Sequence, residues 1–184
     1  MLARSDIEVR TIVESARRAG EAIPPVGLLG GDLMRALGGR GDESRIRGDQ
    51  AMRLPVDVGS VLVDGRQFWF VAHLVARRSW WRGRLIAVMN VDGLGRWNVA
   101  PRAHPNDGFL DLVDADPPLA DRVRARRRLP SGSHLPHPDI RSEQTRATQL
   151  HLDPPLRVWL DGEPLGRAHD LVLRVEPDAL TVVV

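Results

Sequence analysis

The chain has 184 residues, enough for one domain with a real core, and 42% of them are hydrophobic, which excludes wholesale disorder. All 26 basic residues are arginine and face 24 acids, so the net charge is only +2 and a general nucleic-acid-binding role is disfavoured. With no cysteine, lysine or tyrosine, the chain can have no disulfides, thiolate metal sites, phosphate-loop or Schiff-base lysines, or phenolic acid–base groups.

No apolar run approaches the ~20 residues that a membrane-spanning helix needs. The first six residues lack the apolar core of a signal peptide. A cytoplasmic protein is expected, with peripheral membrane contact as an added option. The arginine-only cation set fits both a compositional bias of the genome and a device for phosphate. Any phosphate would have to be met by arginine, backbone N–H groups or a metal.

In chain order, residues 5–19 read as a helix. Ser5 is a good N-cap, Glu8 completes a capping box, Val9, Ile12, Val13 and Ala16 follow helical spacing, and Gly20 ends it. Residues 24–29 read as a short strand entered from a proline turn. Gly30-Gly31-Asp32 then opens a short helix closed by Gly38-Gly39, which puts backbone N–H groups at a helix start. Residues 39–50 read as polar loop.

After about residue 50 the texture changes to short strands and turns. Asp64-Gly65 is a two-residue hairpin turn between apolar runs. Further strands are expected near 85–90, 110–113, 148–152, 158–160, 171–175 and 180–184. A solvated, arginine-rich helix is expected at 119–129 and a Gly/Pro/His loop at 131–139. The fold class is therefore mainly β: an antiparallel β-sandwich over 51–184, preceded by a small α/β remnant over 1–50.

Two acidic turns stand out, Asn106-Asp107-Gly108 and Asp161-Gly162-Glu163. Each reads either as a plain hairpin turn or as a source of carboxylates for acid–base or metal chemistry. His134 and His137 are too few for a zinc site without a third ligand, and surface histidines are expected there. Trp80-Trp81, flanked by Arg77, Arg78, Arg82 and Arg84, suits a membrane face or anionic headgroups, stacking on nucleic acid, or one tryptophan in the core and one on the rim.

Taken in order, these segments resemble the C-terminal part of the bacterial diacylglycerol kinase and lipid kinase family. The residues that carry the resemblance are Asn98-Val99-Ala100-Pro101 with Asp107-Gly108-Phe109-Leu110-Asp111, then Gly132-Ser133-His134, Asp161-Gly162-Glu163 and Glu176-Pro177-Asp178-Ala179-Leu180. Upstream, Gly30-Gly31-Asp32-Leu33 is similar to a shortened form of a nucleotide-lobe segment. The family's Gly-Gly-Asp-Gly-Thr signature is reduced to Asp6 alone within Arg4-Ser5-Asp6-Ile7-Glu8.

The resemblance implies an α/β nucleotide lobe followed by a sandwich, with the active site between them. It implies Glu163 as general base for a lipid hydroxyl and Asp161 as its orienting or metal-sharing partner. It implies ATP contacts near Asp6, Gly30, Gly31 and Asp32. It also implies a Mg²⁺ ion held by Asp107 with the carbonyls of His104 and Phe109.

Two functions are expected. One is ATP-dependent phosphorylation of a lipid, completed by a kinase partner chain, a homo-oligomer or a missing segment. The other is a non-catalytic relative that binds a lipid or another apolar ligand, or regulates a kinase. No nucleic-acid partner is expected.

Overall fold

The computed structural model describes residues 1–184. The N-terminal part holds strand β1 (Leu2–Ala3), helix α1 (Asp6–Ala19), strand β2 (Val26–Leu28) and the short helices α2 (Asp32–Ala36) and α3 (Glu43–Arg47). Then come β3 (Arg53–Val63), β4 (Arg66–Phe70), β5 (His73–Arg77), β6 (Leu85–Met89), β7 (Gly93–Leu94), β8 (Trp97–Asn98) and β9 (Leu110–Ala115). Helix α4 (Leu119–Arg128) and a 3₁₀ turn (Leu129–Ser131) lead into β10 (Ile140–Thr145), β11 (Ala147–Leu160) and β12 (Glu163–Val183).

Local chemistry explains the first helix. Ser5 Oγ accepts the Glu8 N–H at 3.3 Å, and Glu8 Oε2 accepts the Arg4 N–H at 2.8 Å, so two free donors of the first turn are satisfied. Val9, Val13 and Ala16 form the buried stripe, and Gly20 closes the helix in the left-handed conformation.

All strands except the β7–β8 hairpin belong to one sheet. Its order is β1-β2-β12-β11-β5-β6-β9-β10, with β3 added to β12 and β4 added to β3. Strand β12 is the hub. It pairs antiparallel with β11 and with β3, and its last residues, Val182 and Val183, run parallel to Val26 and Gly27 of β2. Along β12 Leu171, Leu173 and Val175 are buried while Val172 and Arg174 are exposed, the period of two that a half-buried strand requires.

The sheet folds over itself into a sandwich. Val61, Phe70, Leu74, Ile86, Leu110 and Leu173 meet in its central core. A second core, including Val9, Val13, Leu28, Leu33, Val56 and Leu180, joins α1 and α2 to the sheet. A third, including Ala87, Met89, Val99, Val113 and Ile140, lies under α4. Strand β6 serves two of these cores, with Ile86 and Val88 facing one way and Ala87 and Met89 the other. That double burial explains its unbroken apolar run.

The mainly β sandwich with a small α/β N-terminal part is what the sequence suggests. Several elements differ in detail. Residues 39–50 contain α3, because the Asp42 carboxylate caps the N–H groups of Ser44 and Arg45. Strands β5 and β10 and the β7–β8 hairpin are not apparent in the sequence pattern. The segments read as separate strands at 148–152 and 158–160 form one strand, β11, and those at 171–175 and 180–184 form β12, each continuing through a register shift.

Candidate functional site

The Asp161-Gly162 turn joins β11 to β12, with φ of 51° and 88° at its two central residues, as a two-residue hairpin requires. Its two acids have opposite environments. Asp161 is buried, and its carboxylate accepts the backbone N–H groups of Val71, Ala72 and His73 at 3.0, 2.8 and 3.0 Å. It therefore fixes the corner where β4 hands over to β5. Burial pushes its pKa up to about 6, opposed by His73 and by the three N–H donors. Glu163 has a half-exposed side chain and pairs with the guanidinium of Arg10 from α1. The same guanidinium donates to the Leu160 carbonyl at 2.9 Å.

The Gly30-Gly31 segment leads into α2 directly beside this turn. The buried Asp6 carboxylate accepts the N–H groups of Asp32 and Leu33 at 2.6 and 3.1 Å. Gly31, at φ 100°, is in close contact with that carboxylate, so a Cβ there would collide with it. Desolvation raises the Asp6 pKa, with the Leu33 N–H, His73 and Arg35 acting against the shift. Asp32 receives the Gly95 N–H at 3.0 Å, pairs with Arg35, and lies 3.2 Å from His73 Nε2. Asp6, Asp32, His73, Asp161, Arg10 and Glu163 are thus gathered along one seam between the N-terminal layer and the sandwich.

Asp107 lies elsewhere, in the loop before β9. Its Oδ1 accepts the Phe109 N–H at 2.9 Å and its Oδ2 accepts Gln144 at 3.3 Å. The His104 ring accepts the Asn106 N–H through Nδ1. The loop is fastened from behind by buried Asp57, whose carboxylate accepts the Gly108 and Asp178 N–H groups at 2.7 and 2.9 Å. Both Asp107 oxygens therefore face N–H donors, an arrangement that closes a turn by itself and does not by itself build an oxygen cage for a hard cation. A different trio of ligand-type side chains converges beside α4, namely Asp121, His137 and Asp139, but Asp121 already pairs with Arg124.

The third feature is an apolar pocket of about 100 Å³ between α4 and the outer face of β5, β6 and β9. Leu85, Ala87, Val113, Ala115, Trp97 and Leu129 contribute to its wall. His134 also lines it. The sequence placed that histidine on the surface, whereas it is 5% exposed and neither ring nitrogen has a partner in hydrogen-bond geometry. The correction has a simple cause: residues 129–135 fold back over the third core, so the loop that carries His134 is a wall rather than a rim. Burial lowers its pKa, partly offset by the neighbouring Val99 backbone.

A family description, the YegS C-terminal NAD kinase beta sandwich-like domain, matches residues 54–184. The chain belongs to this family. Among solved structures, a candidate diacylglycerol kinase from Bacillus anthracis str. Sterne aligns with 98% of the chain at a TM-score of 0.71 and 14% identity, and the chain covers 76% of it. A second structure from that organism, a diacylglycerol kinase, aligns with 87% of the chain at a TM-score of 0.63 and 14% identity, with 66% of its own length covered. At such identity these likenesses speak for the fold. The chain thus spans roughly two thirds to three quarters of those proteins. No curated protein matches the chain in sequence.

For this YegS-type sandwich, the sequence motifs locate the seam but not its partners. Arg10 was missed because it is one of several charged residues on α1, and His73 because a single histidine at a strand start gives no pattern. Asp57 was missed because a lone acid inside a strand gives no pattern. The signal that could have found it is its place within an apolar run, where a buried carboxylate needs backbone donors.

Proposed function

We propose that this chain is a lipid-binding member of the family whose pocket of about 100 Å³ between α4 and the outer face of β5, β6 and β9 takes a short apolar portion of a ligand, the rest lying outside it. The observation that carries this reading is the pocket itself: a wall of aliphatic and tryptophan side chains in which buried Arg122 is hydrogen-bonded but buried His134 is left without a partner. Apolar walls with one or a few placed polar groups are the usual composition of a small-molecule site. An unpartnered buried imidazole costs free energy unless a ligand or water meets it. The ligand's chain would lie against Ala87, Val113 and Ala115, and a hydroxyl, ester or carboxyl group would reach His134.

In this reading the chain does not by itself use ATP. The α2 N-terminus is met by the Asp6 carboxylate rather than left open for a phosphate, and Asp32 adds a second acid within the same turn. A triphosphate there would meet like charges at short range, each pair costing ~4 kcal/mol at about 4 Å in a surface-like dielectric. The acids at Asp6 and Asp32 therefore do not suit ATP, and both oxygens of the Asp107 carboxylate already accept N–H donors. Arg10 pairs with one oxygen of the Glu163 carboxylate, so that oxygen could take a hydroxyl proton only after the pair opened.

Titration with a fluorescent fatty acid and with a short-chain diacylglycerol tests the proposal. Saturable binding is expected, abolished by Ala87→Phe or Ala125→Phe, which fill the pocket from the sheet and from the helix. His134→Leu is expected to weaken the ligand about tenfold through loss of one hydrogen bond. Binding that is absent, or unchanged in both filled variants, would overturn it.

A second reading rests on the intact Asp-Gly-Glu turn: phosphorylation of a lipid hydroxyl when another chain or segment supplies the nucleotide lobe. Phosphate transfer from Mg-ATP to diacylglycerol that is lost in Glu163→Gln would favour it.

A further inference from the structure

The most conspicuous surface of the molecule lies away from the seam. Leu119 and Val123 of α4 are 54% and 37% exposed, and Trp81 of the 79–84 loop is 44% exposed. These are not scattered residues. Positions 119 and 123 are one helical turn apart on the same side of α4. Trp81, Val123, Arg126, Arg127 and Arg96 line one shallow surface recess. The Arg126 guanidinium sits 5.0 Å from the Trp81 ring centre and 4.8 Å from that of Trp97, which ties the helix and the loop into a single face.

That face is also strongly cationic. Helix α4 carries five arginines against one aspartate, and residues 77–84 carry four arginines and no acid, in a chain whose net charge is +2. Three of these arginines are paired, Arg84 with Asp114, Arg122 with Asp116 and Arg124 with Asp121, and the others are not. Arg10, Arg17 and Arg35 are each matched to a carboxylate, whereas Arg78, Arg82, Arg96, Arg126, Arg127 and Arg128 make no ion pair.

We infer that this face docks on an anionic lipid bilayer. Trp81, Leu119 and Val123 enter the headgroup region, and the unpaired guanidinium groups meet lipid phosphates. Apolar side chains ringed by arginine match the interface of a bilayer, where an apolar layer lies beneath a charged one. A nucleic acid would engage the arginines and stack on Trp81, but would leave the aliphatic side chains of Leu119 and Val123 in contact with a charged backbone. No helix of the chain is long and apolar enough to cross a membrane, and the contact proposed is with the bilayer surface. Trp81, Trp97 and Arg126 also line the apolar pocket, so the docking face surrounds the pocket's mouth. The inference rests on exposed residues and stands whether or not the pocket takes a lipid.

Sedimentation of the full chain with vesicles tests it. Binding is expected to phosphatidylcholine vesicles containing phosphatidylserine, with little binding to pure phosphatidylcholine. Each arginine near an anionic surface is worth about fivefold, so Arg127→Glu with Arg128→Glu is expected to lower the partition coefficient by at least about tenfold. Val123→Asp is expected to lower it as well and to remove the blue shift of tryptophan emission. Raising salt from about 0.1 M to about 1 M, which shortens the screening length from about 10 Å to about 3 Å, is expected to release the protein. All three substituted side chains are exposed, so circular dichroism should show an unchanged fold. Equal binding to both vesicle types, or vesicle binding unaffected by these substitutions, would overturn the inference. So would binding to single-stranded RNA with none to the anionic vesicles.

Discussion

Arg10, in the first helix, holds the Leu160 carbonyl and the Glu163 carboxylate at once, across 150 residues of sequence. Its side chain is 9% exposed, whereas that of Glu163 is 53% exposed. The two partners should therefore contribute unequally. Arg10→Ala leaves a buried carbonyl without its donor and is expected to cost ~1–3 kcal/mol. Glu163→Ala removes a solvent-screened carboxylate and is expected to cost less than about 1 kcal/mol. Urea unfolding of both variants checks the order. A larger loss for Glu163→Ala would mean that the ion pair, not the carbonyl contact, anchors α1.

The acid at the centre of the turn makes stability depend on pH. Asp161 has a folded-state pKa of about 6, against an ordinary value of 3.8. Between these values the folded protein keeps a proton that the unfolded chain releases, so this contribution is greatest at low pH and declines as pH rises through 6. A shift of that size corresponds to roughly 3 kcal/mol. Asp6 and Asp111, both raised by burial, act in the same direction. His134, lowered by burial, acts in the opposite one, and its contribution is lost as pH falls below the ordinary histidine value. The urea midpoint is expected to fall between about pH 4 and about pH 6.5, and Asp161→Asn is expected to flatten that dependence. The variant also turns an amide N–H₂ toward backbone donors, so it should be less stable than the parent at the lower pH. A parent midpoint that rises steadily over this range would contradict the assignment.

Calorimetry with Mg-ATP is expected to show no saturable heat. Asp6→Gly should not create a nucleotide site either, because Asp32 remains. Gly30→Val is a poor control for such an experiment, since a Cβ at residue 30 would strike the Arg4 carbonyl and disturb the layer itself. Micromolar binding by the unmodified chain would show that the seam accepts a triphosphate.

Gly59 lies under the Phe70 ring, so close that a Cβ would overlap it. Phe70 is fully buried in the central core. Gly59→Ala is expected to lower stability by ~1–3 kcal/mol through overpacking, and Gly59→Ala with Phe70→Leu should recover part of it. Thermal melts of the two variants decide this, and an unchanged Gly59→Ala midpoint would show that the strand gives way without cost.

The sandwich was legible in the sequence because strands such as Leu171-Val172-Leu173-Arg174-Val175 alternate with period two, and because Asp64-Gly65 and Asp161-Gly162 are hairpin turns with glycine second. Helix α1 was legible from Ser5, Glu8 and Gly20. What was not legible depends on contacts distant in the chain. Strand β5 begins where the Asp161 carboxylate gathers three N–H groups, about ninety residues away in sequence. The burial of His134 depends on a loop folding over a core that only tertiary structure assembles. Residue type located the acidic turns, but it could not tell that Asp161 would face inward and Glu163 toward α1.

Strand β12 begins at Glu163 and ends at Val183, and the N-terminal layer is fastened at both ends of it. Arg10 grips the start, and β2 pairs with Val182 and Val183 at the finish. Two attachment points along one strand define a single axis, the strand itself, and oppose any motion that parts the layers at either end of it. Parting the layers at the start of β12 must break the Arg10–Glu163 clasp, and parting them at its finish must break the β2–β12 ladder. The acidic turn is therefore a latch between the layers as well as a motif.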